Sequence, residues 1–283
     1  MTFQNTSLSG KAVLVTGAKG FVGKSLTAAL ASAGASVAQF EGDVSLATKD
    51  AVGQQDIVFH LAAFTNLAAS AEDPVRAFEV NALGTMRLLT ACAQVKKFVY
   101  VSTLGVYGEP QYLPVDERHP TMPVEPYAAS KLAGEAAVRG FCTSRGMSFA
   151  IARLFNVYGP GQRDDFVVAR LMNEILHNSE VTVRNPQSTR DFIHVTDVAE
   201  GIIAAGLRGE NDVYNIGTGI ETSIQDLATL IAQVAKRPVS LTMQSEVSAK
   251  GVRRSQADTR HTQKSIGWSA RIALAEGLKT LVP

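Results

Sequence analysis

Tyr127 and Lys131 stand four residues apart in the stretch Tyr127-Ala128-Ala129-Ser130-Lys131. On a helix that spacing puts a phenol and an amine on one face, separated by about 6 Å of axial rise. A free phenol has a pKa of about 10, and a nearby cation lowers it by about 1–3 units, which makes an acid/base usable near neutral pH. A second stretch, Gly17-Ala18-Lys19-Gly20-Phe21-Val22-Gly23, has the spacing GxxGxxG. Glycines so spaced let a turn tighten and let backbone N–H groups and a helix N-terminus approach a pyrophosphate. About twenty residues on, Glu41 is placed to accept from the hydroxyls of an adenosine ribose. Lys19 pulls the other way, because a cation beside the turn can pair with a 2′-phosphate that Glu41 would repel. The balance favours NAD, with NADP as the alternative. Each signal also has a plain reading: any helix can carry YxxxK, a glycine triplet can be an ordinary turn, and Glu41 can be a solvated strand end.

These groups need a scaffold, and its elements are readable. Ala12-Val13-Leu14-Val15 is a continuously apolar run, as expected of a strand buried on both faces of a parallel sheet. After the glycine turn, Val22, Leu26, Ala29, Leu30 and Ala33 recur on one helical face, and Gly34 is the stop. Residues 37–40, 56–61, 97–102 and 149–152 read as further strands. Asp73-Pro74 opens a helix whose expected apolar face runs through Val75, Phe78, Ala82, Met86 and Leu89. Pro123 and Pro126 precede the helix that carries Tyr127.

This alternation predicts an α/β fold, a doubly wound parallel sheet with ligands gathered at the carboxyl ends of its strands. Residues 1–155 make the dinucleotide-binding domain. Beyond about Asn156 prolines and glycines cluster, as in Gly159-Pro160-Gly161, and 156–283 reads as mainly a smaller C-terminal substrate lobe. The two interleave, because Val213-Tyr214-Asn215-Ile216 again looks like a buried strand, so that about 192–216 rejoins the first domain.

Composition narrows the partners. The 283 residues are 46% apolar and 19% charged, which suits a sizeable core. Lys+Arg 27 against Asp+Glu 26 leaves a formal charge of +1. That balance argues against nucleic acid or a membrane surface as the main partner, while leaving room for a local anion site. Cys92 and Cys142 are too few for a disulfide framework, lack zinc-ligand spacing and read as small buried hydrophobes. The five histidines form no HxxH or HxxxH pair, so no metal is expected. No signal-peptide core or membrane-length run is present, and the expected location is cytoplasmic, with Asn5-Thr6-Ser7 a chance sequon.

Taken in order, TGAKGFVG (16–23), HLAA (60–63), Asn81 in VNALGT, STLGVYG (102–108), YAASK (127–131), RLFNVYGPGQ (153–162), TRDFIHVTDVA (189–199) and YNIGTG (214–219) resemble the extended short-chain dehydrogenase/reductase family, in its nucleotide-sugar epimerase/dehydratase branch. The resemblance spans nearly the whole chain. It implies a Rossmann-type domain holding NAD(P) and a smaller lobe closing over a nucleotide-linked sugar. Matched motif to motif, Tyr127 is the acid/base, and Lys131 binds the nicotinamide ribose and acidifies Tyr127. Thr103 takes the place of the catalytic Ser/Thr and hydrogen-bonds the reacting sugar oxygen, with Ser102 the weaker candidate. The cofactor is expected against Gly17, Lys19, Gly20, Phe21, Val22, Gly23, Glu41, Leu61, Ala62, Ala63, Tyr127 and Lys131. Asn156 and Arg190 contact the diphosphate or sugar, and Asn81 supports the helix beside the site. His60 and His194 are packing residues. A homodimer through helices at 75–93 and 127–145 is also implied.

Three departures matter. Glu41 runs straight into Gly42-Asp43-Val44, so most of the usual helix and strand there is missing and the adenine-side wall is short. Dehydratases of the family follow the catalytic Thr with Asp-Glu, whereas Leu104-Gly105 follow Thr103. An arginine often found some ten residues before Ala257-Asp258 is Ser248 here, with Lys250, Arg253 and Arg254 nearby. The expected activity is NAD-dependent epimerisation of a nucleotide sugar. The alternative is a one-way NAD(P)H-dependent reductase of a nucleotide-linked keto sugar, and third comes a cofactor-sensing regulator without turnover.

Overall fold

The structure is a computed structural model that describes residues 8–245 and 252–283, so the sequon at Asn5, together with Ser248 and Lys250, lies outside the described residues. The first half supplies the strands β1 (Ala12–Thr16), β2 (Ser36–Phe40), β3 (Ile57–His60), β4 (Lys97–Thr103) and β5 (Ser148–Leu154). The second half supplies β6 (Asn156–Tyr158), β7 (Glu180–Arg184), β8 (Thr189–His194), β9 (Asp212–Ile216), β10 (Glu221–Ser223) and β11 (Ser240–Gln244). The helices are α1 (Phe21–Ser32), α2 (Lys49–Val52), α3 (Leu67–Glu72), α4 (Pro74–Phe78), α5 (Thr85–Ala91), α6 (Pro126–Arg145), α7 (Val167–His177), α8 (Val195–Arg208), α9 (Ile224–Ala235), α10 (Arg260–Ile266) and α11 (Leu274–Lys279).

Six strands make one parallel sheet in the order β2-β1-β3-β4-β5-β9. Alternate side chains leave each strand on opposite faces. Val13, Val15, Phe59 and Val99 enter the layer under α1 and α8 with Leu26, Leu30, Ile202 and Trp268. Leu14, Val58, Phe98 and Tyr100 enter the other layer with Leu88, Leu89 and Val138. Both faces are covered, which is why these strands are apolar throughout. The order reverses between β1 and β3, and a crevice at that switch point is where such sheets bind ligands.

The later residues build a second core from Leu171, Ile175, Val183, Leu227 and Ile231, with a three-stranded sheet β10-β8-β6 and the pair β11-β7. The chain returns to the first sheet through α8 and β9, and the latter pairs with β5 from Ala150↔Asp212 to Leu154↔Ile216.

One element departs from the expected pattern. The single helix foreseen after Asp73 is α4, then a π-helical turn over Glu79–Gly84, then α5. The buried positions are Ala77, Asn81, Gly84, Thr85, Leu88 and Leu89, while Val75 and Phe78, expected inside, are exposed. The buried set still recurs at helical spacing, but on the face that carries the small and polar residues Ala77, Asn81, Gly84 and Thr85.

Candidate active site

The glycine turn joins β1 to α1 at the switch point. Gly17 has φ +70°, and a Cβ there would stand 2.7 Å from the Ala62 amide nitrogen. A Cβ on Gly23 would fall 2.1 Å from the Gly17 carbonyl oxygen. Only glycine fits either place. Gly20 precedes α1 without any side chain capping the helix, and no acidic residue occupies its first turn, where Phe21 and Val22 lie. This bare N-terminus suits an anion. Leu61, Ala62 and Ala63 follow β3 across the crevice, and Ala62 N donates to Thr16 Oγ1 at 3.1 Å.

At the outer end of this crevice Lys19 Nζ and Glu41 Oε1 pair at 2.8 Å, both largely exposed. The hydrogen bond and charge of Lys19 hold the Glu41 carboxyl below its usual range. The two groups read from sequence as rivals for the ribose are therefore each other's partner. Past Glu41 the chain makes only a 3-10 turn, Val44–Leu46, and the short α2 before β3.

Thr103 ends β4. Its Oγ1 accepts from Gly105 N at 3.2 Å and so caps a 3-10 turn, Leu104–Tyr107. A Cβ on Gly105 would sit 3.2 Å from Ala128 Cβ, so this turn abuts the start of α6, where Tyr127 lies. Pro126 opens α6 at a position that needs no N–H donor. Lys131 follows one turn on, buried, with Nζ 4.0 Å from the centroid of the Tyr100 ring.

Burial governs the ionisation of this pair in the protein alone. Burial pushes the Tyr127 phenol up to about 12, and no cation brings it down. Burial pushes the Lys131 amine down to about 7, partly opposed by the Glu135 carboxylate. Without cofactor the Lys131 charge lies desolvated over the Tyr100 ring, and burial sets the Tyr127 phenol. In the protein alone Tyr127 is a neutral donor at neutral pH, and Lys131 titrates there.

Beneath the pair lies a chain of hydrogen bonds whose directions are fixed. Thr85 Oγ1 donates to the Asn81 carbonyl at 2.7 Å and therefore accepts from His60 Nε2 at 2.9 Å. His60 Nδ1 then accepts from Thr16 Oγ1 at 2.7 Å. Full burial pushes His60 down to about 3, which keeps it neutral. Asn81, on the π turn, exchanges hydrogen bonds with the Phe64 backbone at 2.7 and 3.1 Å and donates to Ser130 Oγ at 2.9 Å. His194 caps α8, accepting from Thr196 N at 3.3 Å, and packs edge-on against Tyr158.

The substrate-side candidates come from the second lobe. Parallel pairing of β6 with β8 sets Asn156 opposite Phe192, two residues past Arg190. Arg190 Nη1 donates to the carbonyls of Thr189 and Arg253 at 2.7 and 3.1 Å. Burial lowers its guanidinium pKa, and among the described residues no carboxylate forms an ion pair with it. Ser255 Oγ donates to Asn156 Oδ1 at 3.2 Å, so one extended segment touches both candidates. Arg254, though exposed, is engaged by Glu221 at 2.8 and 2.7 Å, whereas exposed Arg253 has no carboxylate ion pair among the described residues. A separate cavity of about 520 Å³ lies at the amino ends of the strands beside Cys142 and Ser148, away from all of these groups.

Two site neighbours were missed in the sequence. Glu135 and Arg153 form a buried ion pair, with Arg153 Nη2 2.6 Å from Glu135 Oε2. The signal was available in part: Tyr127, Lys131 and Glu135 recur at i, i+4 and i+8 on one face of α6.

The family model described as the NAD dependent epimerase/dehydratase family matches residues 13–217. A putative UDP-glucose 4-epimerase of Methanocaldococcus jannaschii is 36% identical over 235 residues, covering 80% of this chain and 76% of its own. A GDP-6-deoxy-D-mannose reductase of Pseudomonas aeruginosa is 31% identical and covers 95% of both. The crystal structure of the Thermus thermophilus UDP-glucose 4-epimerase complex with NAD superposes with a TM-score of 0.85 at 30% identity, covering 95% of this chain and 97% of that one.

Proposed function

The chain belongs to the NAD dependent epimerase/dehydratase family, and we propose that within it the protein is an NAD-dependent epimerase of a nucleotide sugar. The observation that carries this reading is that the turn capped by Thr103 abuts the start of α6, the helix of Tyr127 and Lys131, in a fold whose β1–α1 glycine turn leaves no room for a Cβ. Residues 1–155, rejoined through α8 and β9, hold the cofactor, and 156–283 mainly hold the sugar nucleotide. When bound, NAD supplies a hydride acceptor and a positive ring beside the phenol.

Thr103 Oγ1 and Tyr127 Oη hold the reacting hydroxyl of the sugar. With the cofactor's positive ring beside it, Tyr127 would stand as the phenolate and take the hydroxyl proton while the carbinol C–H pair leaves as hydride to the nicotinamide, leaving a ketone. Arg190, Asn156 and Arg253 retain the diphosphate, so the keto sugar can turn over without leaving. Tyr127 then returns the proton to the oxygen of the opposite epimer, and the protein ends unchanged. Lys131 binds the ribose hydroxyls and stabilises the negative charge that passes through Tyr127. The UDP-glucose 4-epimerases among the relatives favour a UDP-hexose as substrate. The reductase alternative uses the same residues in one direction, and the Pseudomonas relative supports keeping it. Following reduced-nicotinamide absorbance separates them: an epimerase shows no net change with a UDP-hexose, whereas a reductase consumes one NADH or NADPH per keto sugar.

Arg190→Met should raise KM for the nucleotide sugar about tenfold or more, since a charge-assisted contact contributes about 1.5–3 kcal/mol. NAD affinity should not change. An unchanged KM would remove Arg190 from the substrate site. For the cofactor, titration of the free protein should show tighter NAD than NADP binding, and Lys19→Ala should widen the gap by freeing Glu41. A preference for NADP that Lys19→Ala abolishes would mean that Lys19 reads the ribose instead.

Val75, Phe78 and Leu83 leave an exposed apolar strip on α4 and the π turn. That strip supports the homodimer through 75–93 and 127–145, and the reading places the enzyme in the cytoplasm. Among the described residues no helix is long and apolar enough to cross a membrane.

A further inference from the structure

We propose that Glu135 and Arg153 are positioning residues that hold Thr103 in register with Tyr127, a role that rests on the epimerase reading of the site. Glu135 is one turn beyond Lys131 and two beyond Tyr127 on α6, and is almost fully buried. Its Oε1 accepts from Ser102 Oγ at 2.6 Å and from Arg153 Nε at 2.9 Å, and its Oε2 accepts from Arg153 Nη2 at 2.6 Å. Ser102 is the residue immediately before Thr103. Arg153 lies on β5 with Cζ 4.7 Å from the centroid of the Tyr107 ring, and Tyr107 ends the turn that Thr103 caps. Tyr107 Oη in turn donates to Asn215 Oδ1 on β9 at 2.7 Å.

The pair therefore grips the chain on both sides of Thr103 and ties it to the helix that carries the phenol and the amine. A pair this buried is not explained by stability. Replacing a buried ion pair with apolar groups of similar volume is often neutral or stabilising, whereas removing one partner is costly. Arg153 Nη1 is even left without a partner among the described residues. What the pair supplies is direction: one charge-assisted hydrogen bond fixes the end of β4 against α6, and two more fix β5 there, more tightly than apolar packing does. Misplacing a reacting group by about 1 Å can cost about 100-fold in rate.

The test uses the full chain with NAD and a UDP-hexose that the wild type converts. The double variant Glu135→Met, Arg153→Leu should melt close to the wild-type temperature, because the buried charges leave together. Its kcat should nevertheless fall about 10–100-fold, with KM and NAD affinity within about twofold of wild type. Ser102→Ala, which keeps the ion pair, should show the same split with a drop of about tenfold in kcat. Wild-type kcat in a folded double variant overturns the proposal; if that variant does not fold, unchanged kcat in Ser102→Ala overturns it. A wild type that converts no nucleotide sugar overturns the epimerase reading itself, and this role with it.

Discussion

Tyr127→Phe is expected to lower turnover about 10²–10⁴-fold, the usual contribution of a positioned acid/base, while cofactor affinity stays unchanged. The ring that packs beside the start of α6 is retained, and only the titrating oxygen is lost. The size of the effect follows from the arrangement around it. The Thr103 hydroxyl, whose own pKa is far too high, cannot take over the proton, Ser102 is engaged with Glu135, and His60 is neutral and enclosed by Thr16 and Thr85. Turnover within about twofold of wild type would place the acid/base elsewhere.

Lys131→Met should also abolish most turnover, and should at the same time stabilise the cofactor-free protein. Burial takes the Lys131 amine from 10.5 to about 7. Such a shift corresponds to at most about 5 kcal/mol, and the contact with the Tyr100 ring offsets about 2 of it. The sign is set by linkage. Below pH 7 the folded protein carries the full cost of a buried ammonium. From pH 7 up to 10.5 the folded protein has lost that proton while the unfolded chain still holds it, so the cost shrinks and then vanishes. Lys131→Met should therefore melt several degrees above wild type at pH 6, and the two should converge as the pH approaches 10. A variant less stable than wild type at pH 6 would mean that the amine is held by contacts stronger than its desolvation cost. The prediction fits a site residue kept for chemistry at the expense of stability.

The parts of the fold legible in the sequence were those governed by local chemistry. Short apolar runs marked β1, β3, β4, β5 and β9 because a parallel sheet covered on both faces has no polar side to show. The glycine turn was legible because its positive φ and its close approach to Ala62 exclude every other residue. Features set by tertiary contact were not. Asn81 and Thr85 face inward and Val75 and Phe78 outward, although both sets recur at helical spacing, and only the packing decides which face is buried. Arg153 and Glu135 are 18 residues apart in sequence, and only the packing of α6 on β4 and β5 brings them together. The contact of the Lys131 amine with the Tyr100 ring joins residues 31 apart, so no local pattern shows it. Arg253 and Arg254 are adjacent and alike in sequence, and only the fold pairs Arg254 with Glu221.

As an epimerase, the proposed enzyme exchanges hydroxyl configuration at one carbinol and removes no water from the sugar. Dehydration needs an acid to protonate a leaving hydroxyl and a base to remove a carbon-bound proton. Leu104 and Gly105 offer neither after Thr103. The direct measurement is a proton NMR time course of a panel of UDP-, dTDP- and GDP-hexoses with substoichiometric NAD. The expected result is the appearance of one epimer beyond the amount of cofactor, with no 6-deoxy methyl signal and no lasting reduced nicotinamide. A 4-keto-6-deoxy sugar from any of these hexoses would contradict it, and so would conversion that stops when the cofactor has been consumed once.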